Sequence, residues 1–233
     1  MFKKKPVIEY ESVIIYYPNS IQQAKKHIPE WYKKIPKWSN NEIFTIENGF
    51  QFTVKNCVPV LDSFTTGYML TLPCDVYVKN VGGRPFITGR ESEKYLPDFR
   101  ENVSNLNFVP KGHYPVEFVW HTNAAITFLV GYSVLLTHPL NRHDLPFTTL
   151  SGVIDGGLVM DPYGRIPFYV KDDFEGIIPQ GTPIAQIIPF RQEKWLSKIK
   201  KGLIEKALVH ASASSAKLSG WYKTTFWTKK NYE

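Results

Sequence analysis

Two cysteines, Cys57 and Cys74, are all that 233 residues offer, which excludes a disulfide framework and a four-cysteine zinc site and leaves two reduced thiols. Long apolar runs are also missing. None reaches the ~18 residues that a spanning helix needs, so a membrane span is not expected, and the run AAITFLV over 124–130 fits a buried strand instead. The start, MFKKKPVIEYESV, places Glu9 and Glu11 where a secretory signal needs unbroken apolar sequence, so export by that route is not expected. An excess of either charge is absent from residues 1–190, which hold 18 basic and 18 acidic side chains. Residues 191–233 hold ten Lys or Arg against three Glu, so the whole net charge of +7 sits there. A neutral body with a basic appendage points to an acidic partner, a protein surface or a nucleic acid, or to solubility alone.

What is present is apolar and aromatic enough, at 43% and 15%, to build a globular core rather than a disordered chain. The organising stretch is 149–191, TLSGVIDGGLVMDPYGRIPFYVKDDFEGIIPQGTPIAQIIPFR. Its β-prone runs 166–170 and 184–190 flank an acidic link and the turn Pro179-Gln180-Gly181, a spacing of compact β-structure. Upstream, 7–17 reads as an opening strand ended by Pro18-Asn19. Ser20 reads as an N-cap, followed by two short helical turns interrupted at Pro29. Lys25, Lys26, Lys33, Lys34 and Lys37 interleave with Trp31, Tyr32 and Trp38, a pattern that suits base stacking, partner capping or a surface helix covering the core. Residues 56–78 read as two β-prone runs around a Thr-rich turn. The polar stretch 82–115 reads as an insertion in which Arg84, Arg90 and Arg100 are solvated or paired. A strand pair over 116–121 and 125–136 follows, with Gly131 as a bulge or kink.

The densest polar chemistry lies in THPLNRHDLPF, 137–147, where His138, Asn141, Arg142, His143 and Asp144 crowd together. Three readings stay open for it: a loop whose polar groups bond backbone, a ligand site, or a metal site, although the spacing matches no defined metal motif. Beyond 190, residues 193–211 read as an amphipathic helix with Trp195, Ile199, Leu203, Ala207 and Leu208 on one face and a weak point at Gly202. The tail holds Trp221, Tyr222, Phe226 and Trp227 among lysines, and these with Trp195 are the candidate partner-binding residues.

GVID (152–155), DPYGRI (161–166) and GTPIAQII (181–188) resemble, in this order, the third and fourth motifs of the dUTPase and dCTP deaminase superfamily. SFTTGYMLTLPCDVYV (63–78) is similar to the first motif, with Met69 where the family has Asp. The loop at 137–147 falls where the family's second motif holds phosphate, but only Arg142 suits that part and the serines are missing. Ser219-Gly220-Trp221 is all that answers to the Gly-rich fifth motif. The resemblance covers about 57–190 and implies a mainly β, β-clip fold (a distorted barrel or sandwich) with a short N-terminal helix and a C-terminal amphipathic helix. The expected layout is one β-rich domain over 1–190, and a helix with a basic aromatic tail over 191–233.

Fold and chemistry are separable. If the chain is a nucleotide hydrolase, the resemblance makes Asp155 the residue that orients the attacking water and Mg2+ the cofactor; the candidate ligand-binding residues are Tyr68, Asn141, Arg142, His143, Tyr163 and Gln186. Otherwise no catalytic residue, metal or cofactor is expected. The same fold class includes trimeric head-decoration proteins of tailed phages. The whole chain also looks similar to a phage and bacterial family defined only as a domain of unknown function, through THPLNRHDLPF, LSGVID and FEGIIPQGTPIAQIIPF. These resemblances imply a non-catalytic virion or assembly component, a homo-oligomer with a trimer favoured and with neighbouring virion or assembly proteins as partners, located in the virion or host cytoplasm. The competing expectation is a dUTPase-like nucleotide-binding or nucleotide-hydrolysing protein.

Overall fold

The computed structural model describes residues 6–37, 53–89, 95–100, 109–216 and 220–233. Trp38, Arg90 and Ser219, named above, lie outside them. The chain forms two compact units, Met1–His27 with Gly67–Gln192, and Ile28–Thr66 with Glu193–Glu233.

Among the described residues, the first unit is built from four antiparallel sheets, so the mainly β class expected from the sequence is what the structure has. A five-stranded sheet runs in the order Gly152–Asp155, Tyr132–Thr137, Pro183–Arg191, Tyr68–Thr71, Ile21–Gln23. A four-stranded sheet runs Phe147–Thr149, Arg165–Lys171, His113–His121, Asp98–Phe99. Two three-stranded sheets complete the unit: Ile8–Ser12, Ala124–Phe128, Val159–Met160, and Gly176–Ile178, Val76–Val81, Arg84–Thr88. The run PIAQIIP is apolar almost throughout because its strand lies inside the five-stranded sheet with residues 183–187 buried. Pro189 lies beyond Ile187, where pairing to Tyr68–Thr71 ends, a one-sided position that tolerates a missing N–H.

Aromatic packing holds the four-stranded sheet to the core. Trp120 stacks on Phe168 at 3.6 Å between ring centroids, and Phe147 meets Trp120 edge-on at 4.9 Å. Each such pair adds about 0.5–1.5 kcal/mol to the gain from burying its surface. Gly67 has φ +74°, and a Cβ there would lie 2.1 Å from the Ile187 carbonyl oxygen, so only glycine lets the chain enter the strand Tyr68–Thr71 this close to its neighbour.

Several local expectations change. Residues expected as a β-run after Asn56 form the helix Val58–Thr65, because Val58, Leu61 and Phe64 recur at helical spacing and Pro59 sits in the first turn, where its missing N–H costs nothing. The opening strand is shorter, Ile8–Ser12, since the Ser12 hydroxyl bonds the Ile14 N–H and the Tyr17 carbonyl and turns the chain. Ser20 leads into the strand Ile21–Gln23 instead of capping a helix; the helical turns follow at Ala24–His27 and Glu30–Lys34. Gly131, at φ +83°, sits in a turn between two strands rather than kinking one.

In the second unit, Tyr32 packs on Phe64 at 4.8 Å, and the Lys55 ammonium lies 4.5 Å over the Tyr32 ring while donating to the Tyr32 and Lys33 carbonyls. The C-terminal helix spans Leu203–Ala216, not 193–211. Gly202 at φ +78° breaks the helical path, and residues 193–200 are exposed without regular secondary structure. No described helix is long and apolar enough to cross a membrane.

Candidate functional site

The loop after Tyr132–Thr137 is held by its own polar groups. Arg142 N–H bonds the Pro139 carbonyl and Leu145 N–H the Arg142 carbonyl, while Asn141 takes φ +58° between them. Leu140 N–H donates to the Gln186 side-chain carbonyl at 2.9 Å, and the Lys171 ammonium donates to the His143 carbonyl at 2.6 Å. The Arg142 guanidinium forks onto Asp144, with Nε to Oδ1 and Nη2 to Oδ2 both at 2.9 Å. This fork takes Nε and one Nη2 donor of the guanidinium's five, while Nη1 turns to the His27 carbonyl at 3.4 Å.

His138 sits inside this loop. Its Nδ1 accepts from the Thr149 N–H at 3.3 Å, which leaves Nε2 to carry the proton and donate to the Arg142 carbonyl at 3.0 Å. Burial lowers its pKa from the usual 6.5, partly offset by that hydrogen bond, so the neutral ring is the form that fits. His27, beside Arg142, is lowered too, by burial first and then by Arg142 and Lys26. Within 137–147, the His138 side chain and Arg142 Nη1 bond backbone carbonyls, while Arg142 and Asp144 bond each other. Among the described residues, no group of three His, Cys, Asp or Glu side chains is placed to hold a metal ion.

Asp155 ends the edge strand Gly152–Asp155. Its Oδ1 accepts from the Ser133 hydroxyl at 2.7 Å and from Gln192 Nε2 at 3.0 Å, and Gln192 also donates to Ser133. Gln186 is opposite Thr137, and Asp155 is opposite Ser133, four residues along the strand. With two strand spacings between them, Asp155 and Gln186 are roughly 16 Å apart. Tyr163 stands on the turn at 161–164, its N–H on Asp161 Oδ1 and its ring edge-on to His121 at 6.4 Å. Tyr68 is half-buried opposite Ile187 and Gln23. Within one chain, then, the fold brings Asn141, Arg142, His143 and Gln186 together and leaves Asp155 and Tyr163 apart from them.

The candidate partner-binding aromatics divide. Trp227 Nε1 donates to both Asp62 oxygens, at 3.1 and 2.9 Å, and Lys230 pairs with the same carboxylate at 2.9 Å. Trp221 and Phe226 pack on each other at 5.1 Å and on His210 at 5.6 Å each. Trp195 is left 88% exposed, and Tyr222 is also exposed. Asp62 was not foreseen; its only signal was a carboxylate on what read as a strand.

Two other features were missed. Glu117 is buried and accepts from Arg100 Nη1 at 3.1 Å and from the Tyr169 hydroxyl at 3.3 Å; burial and then the Glu117 charge raise the Tyr169 pKa. A cleft of about 370 Å³ opens between Asp144–Pro146 and the segment from Lys171 to Thr182, and the acidic link KDDFEG was its sequence signal.

No protein-family model matches the chain, and no curated protein does. Among solved structures, it is similar to a dUTPase from phage phi11 of S. aureus, with 18% identity and a TM-score of 0.26 over 36% of this chain and 72% of that one. It is similar also to the dUTPase of Staphylococcus bacteriophage 80alpha, with 18% identity and a TM-score of 0.26 over 54% of this chain and 96% of that one. The chain thus resembles phage dUTPases over part of its length. At that TM-score the likeness carries no conclusion about chemistry.

Proposed function

We propose that this chain is a non-catalytic β-clip protein of the phage type, a virion structural or assembly component that binds neighbouring copies of itself, with a trimer favoured. One observation carries the assembly part of this reading. Trp195, Leu196, Ile199 and Ile204 are 88%, 88%, 96% and 73% exposed along one short stretch of the second unit. Burying a side chain of this size is worth about 1.5–3 kcal/mol, so four left in water are a surface in search of cover. The phage-type part rests on the sequence motifs at 137–147, 150–155 and 174–190.

The non-catalytic part rests on the engagement of the polar groups. A general base must reach its water, and phosphoryl transfer needs the phosphates held and their charge neutralised. Asp155 is bonded by Ser133 and Gln192, Arg142 by Asp144, and Met69 stands at the acidic position of the first motif.

Sedimentation of the full chain tests the assembly reading. The expected mass is three times the 26.8 kDa of one chain, falling to one chain in the Trp195→Asp, Ile199→Asp variant. A monomer at every concentration overturns it. Incubation with dUTP or dCTP and Mg2+ is expected to yield neither pyrophosphate nor deaminated product. Turnover would establish the competing, nucleotide-hydrolysing reading.

A further inference from the structure

The strand Gly176–Ile178 is the outer member of its sheet. It pairs with Val76–Val81 on one side, and no other strand among the described residues pairs with its far side. Two of its three residues, Ile177 and Ile178, line the 370 Å³ cleft together with Leu145 and Phe174. Ile177 is 51% exposed there. The rim is acidic: Asp144 and Asp173 line it, and the exposed Asp172 and Glu175 flank it, against Lys171 and the ion-paired Arg142. An unpaired strand edge beside an apolar groove is the geometry in which an extended segment adds a strand, with backbone bonds for affinity and side-chain pockets for choice.

The chain carries a segment of matching chemistry. Residues 193–201 read EKWLSKIKK, and over 193–200 they are exposed without regular secondary structure. In an extended strand, alternate side chains share a face. Trp195 and Ile199 would then point to the apolar floor. Lys194, Lys198 and Lys200 would point the other way, within reach of the rim carboxylates. We propose that this cleft receives residues 193–201 of a second copy of the chain as an added strand. The inference rests on the assembly reading above and gives it a location. A cleft on one copy filled by a segment of the next is a head-to-tail contact, which closes into a ring when the rotation permits.

The test uses full-length chain carrying Cys57→Ser, to remove the exposed native thiol. One preparation adds Ile177→Cys and another adds Ile199→Cys; they are mixed under mild oxidation. The expected product is a disulfide-linked pair holding one chain of each kind, formed at least tenfold less when Asp173→Lys and Glu175→Lys are added to the first. Both are exposed positions, and the circular dichroism of the variant checks that it is folded. If the mixed pair does not form while sedimentation still gives an oligomer, the cleft is wrong and the assembly reading stands. If the sample is monomeric, both fall. A mixed pair unaffected by the charge reversals overturns the assigned occupancy. So does a doubly substituted chain, Ile177→Cys with Ile199→Cys, that links only within itself.

Discussion

Gln186 is a fully buried amide placed to serve backbone, since its side-chain carbonyl takes the Leu140 N–H that no strand partner reaches. Gln186→Leu keeps the volume and strands that donor, at a cost of about 1–3 kcal/mol in urea unfolding. A stability change near zero would show that the loop does not depend on this bond. Gly67→Ala should cost more, on the order of 2–4 kcal/mol, because it adds strain at φ +74° to a 2.1 Å approach on the Ile187 carbonyl. The two half-buried histidines set a pH dependence. His27 and His138 have folded pKa values below the usual 6.5, so between the folded value and 6.5 the unfolded chain binds more protons. Their contribution is fully present above pH 6.5 and is lost as pH falls through the folded values. The urea midpoint should therefore be level above about pH 7 and decline below 6.5, less steeply in His138→Gln. A midpoint that rises on acidification would contradict both burials.

At the scale of elements, the tail has a partner within its own unit. Trp227 donates to Asp62 on the helix Val58–Thr65, and Lys230 closes the same carboxylate. Charge-assisted bonds of this kind contribute about 1.5–3 kcal/mol. Trp227→Phe or Asp62→Asn should therefore expose the last residues to limited proteolysis, and the double variant should add little to either single one. Additive effects would mean that the two groups act separately. The same elements show what could be read in advance. The strands in 149–191 were legible because β-branched and aromatic runs were bounded by turn residues, as in RIPFYVK and PIAQIIPF. The helix Val58–Thr65 was not, because Val and Thr favour strands and its helical face becomes decisive only once Phe64 meets Tyr32. Within the candidate site, the polar crowding at 138–144 was visible, but its purpose was not. Whether Arg142 faces a phosphate or Asp144 depends on the turn over 139–142, in which Asn141 takes the left-handed region.

For the whole molecule, the decisive asymmetry is charge. Residues 191–233 hold a surplus of seven positive charges and residues 1–190 hold none, while the cleft rim sets Asp144 and Asp173, flanked by Asp172 and Glu175, against Lys171 and the Arg142 paired to Asp144. Attraction between such surfaces on separate copies is exposed to solvent and therefore screened, over about 10 Å at 0.1 M salt and about 3 Å at 1 M. Apolar burial of Trp195 and Ile199 is not weakened by salt in this way. The two contributions thus separate experimentally. Raising the salt should weaken self-association by several-fold without abolishing it, and Lys194→Gln, Lys198→Gln, Lys200→Gln should remove most of that salt dependence. Trp195→Ala with Ile199→Ala should weaken association at every salt concentration and leave the slope unchanged. Sedimentation equilibrium over a salt series reads both. Should the lysine variant keep the full slope, the basic surplus of residues 191–233 is not what draws the copies together.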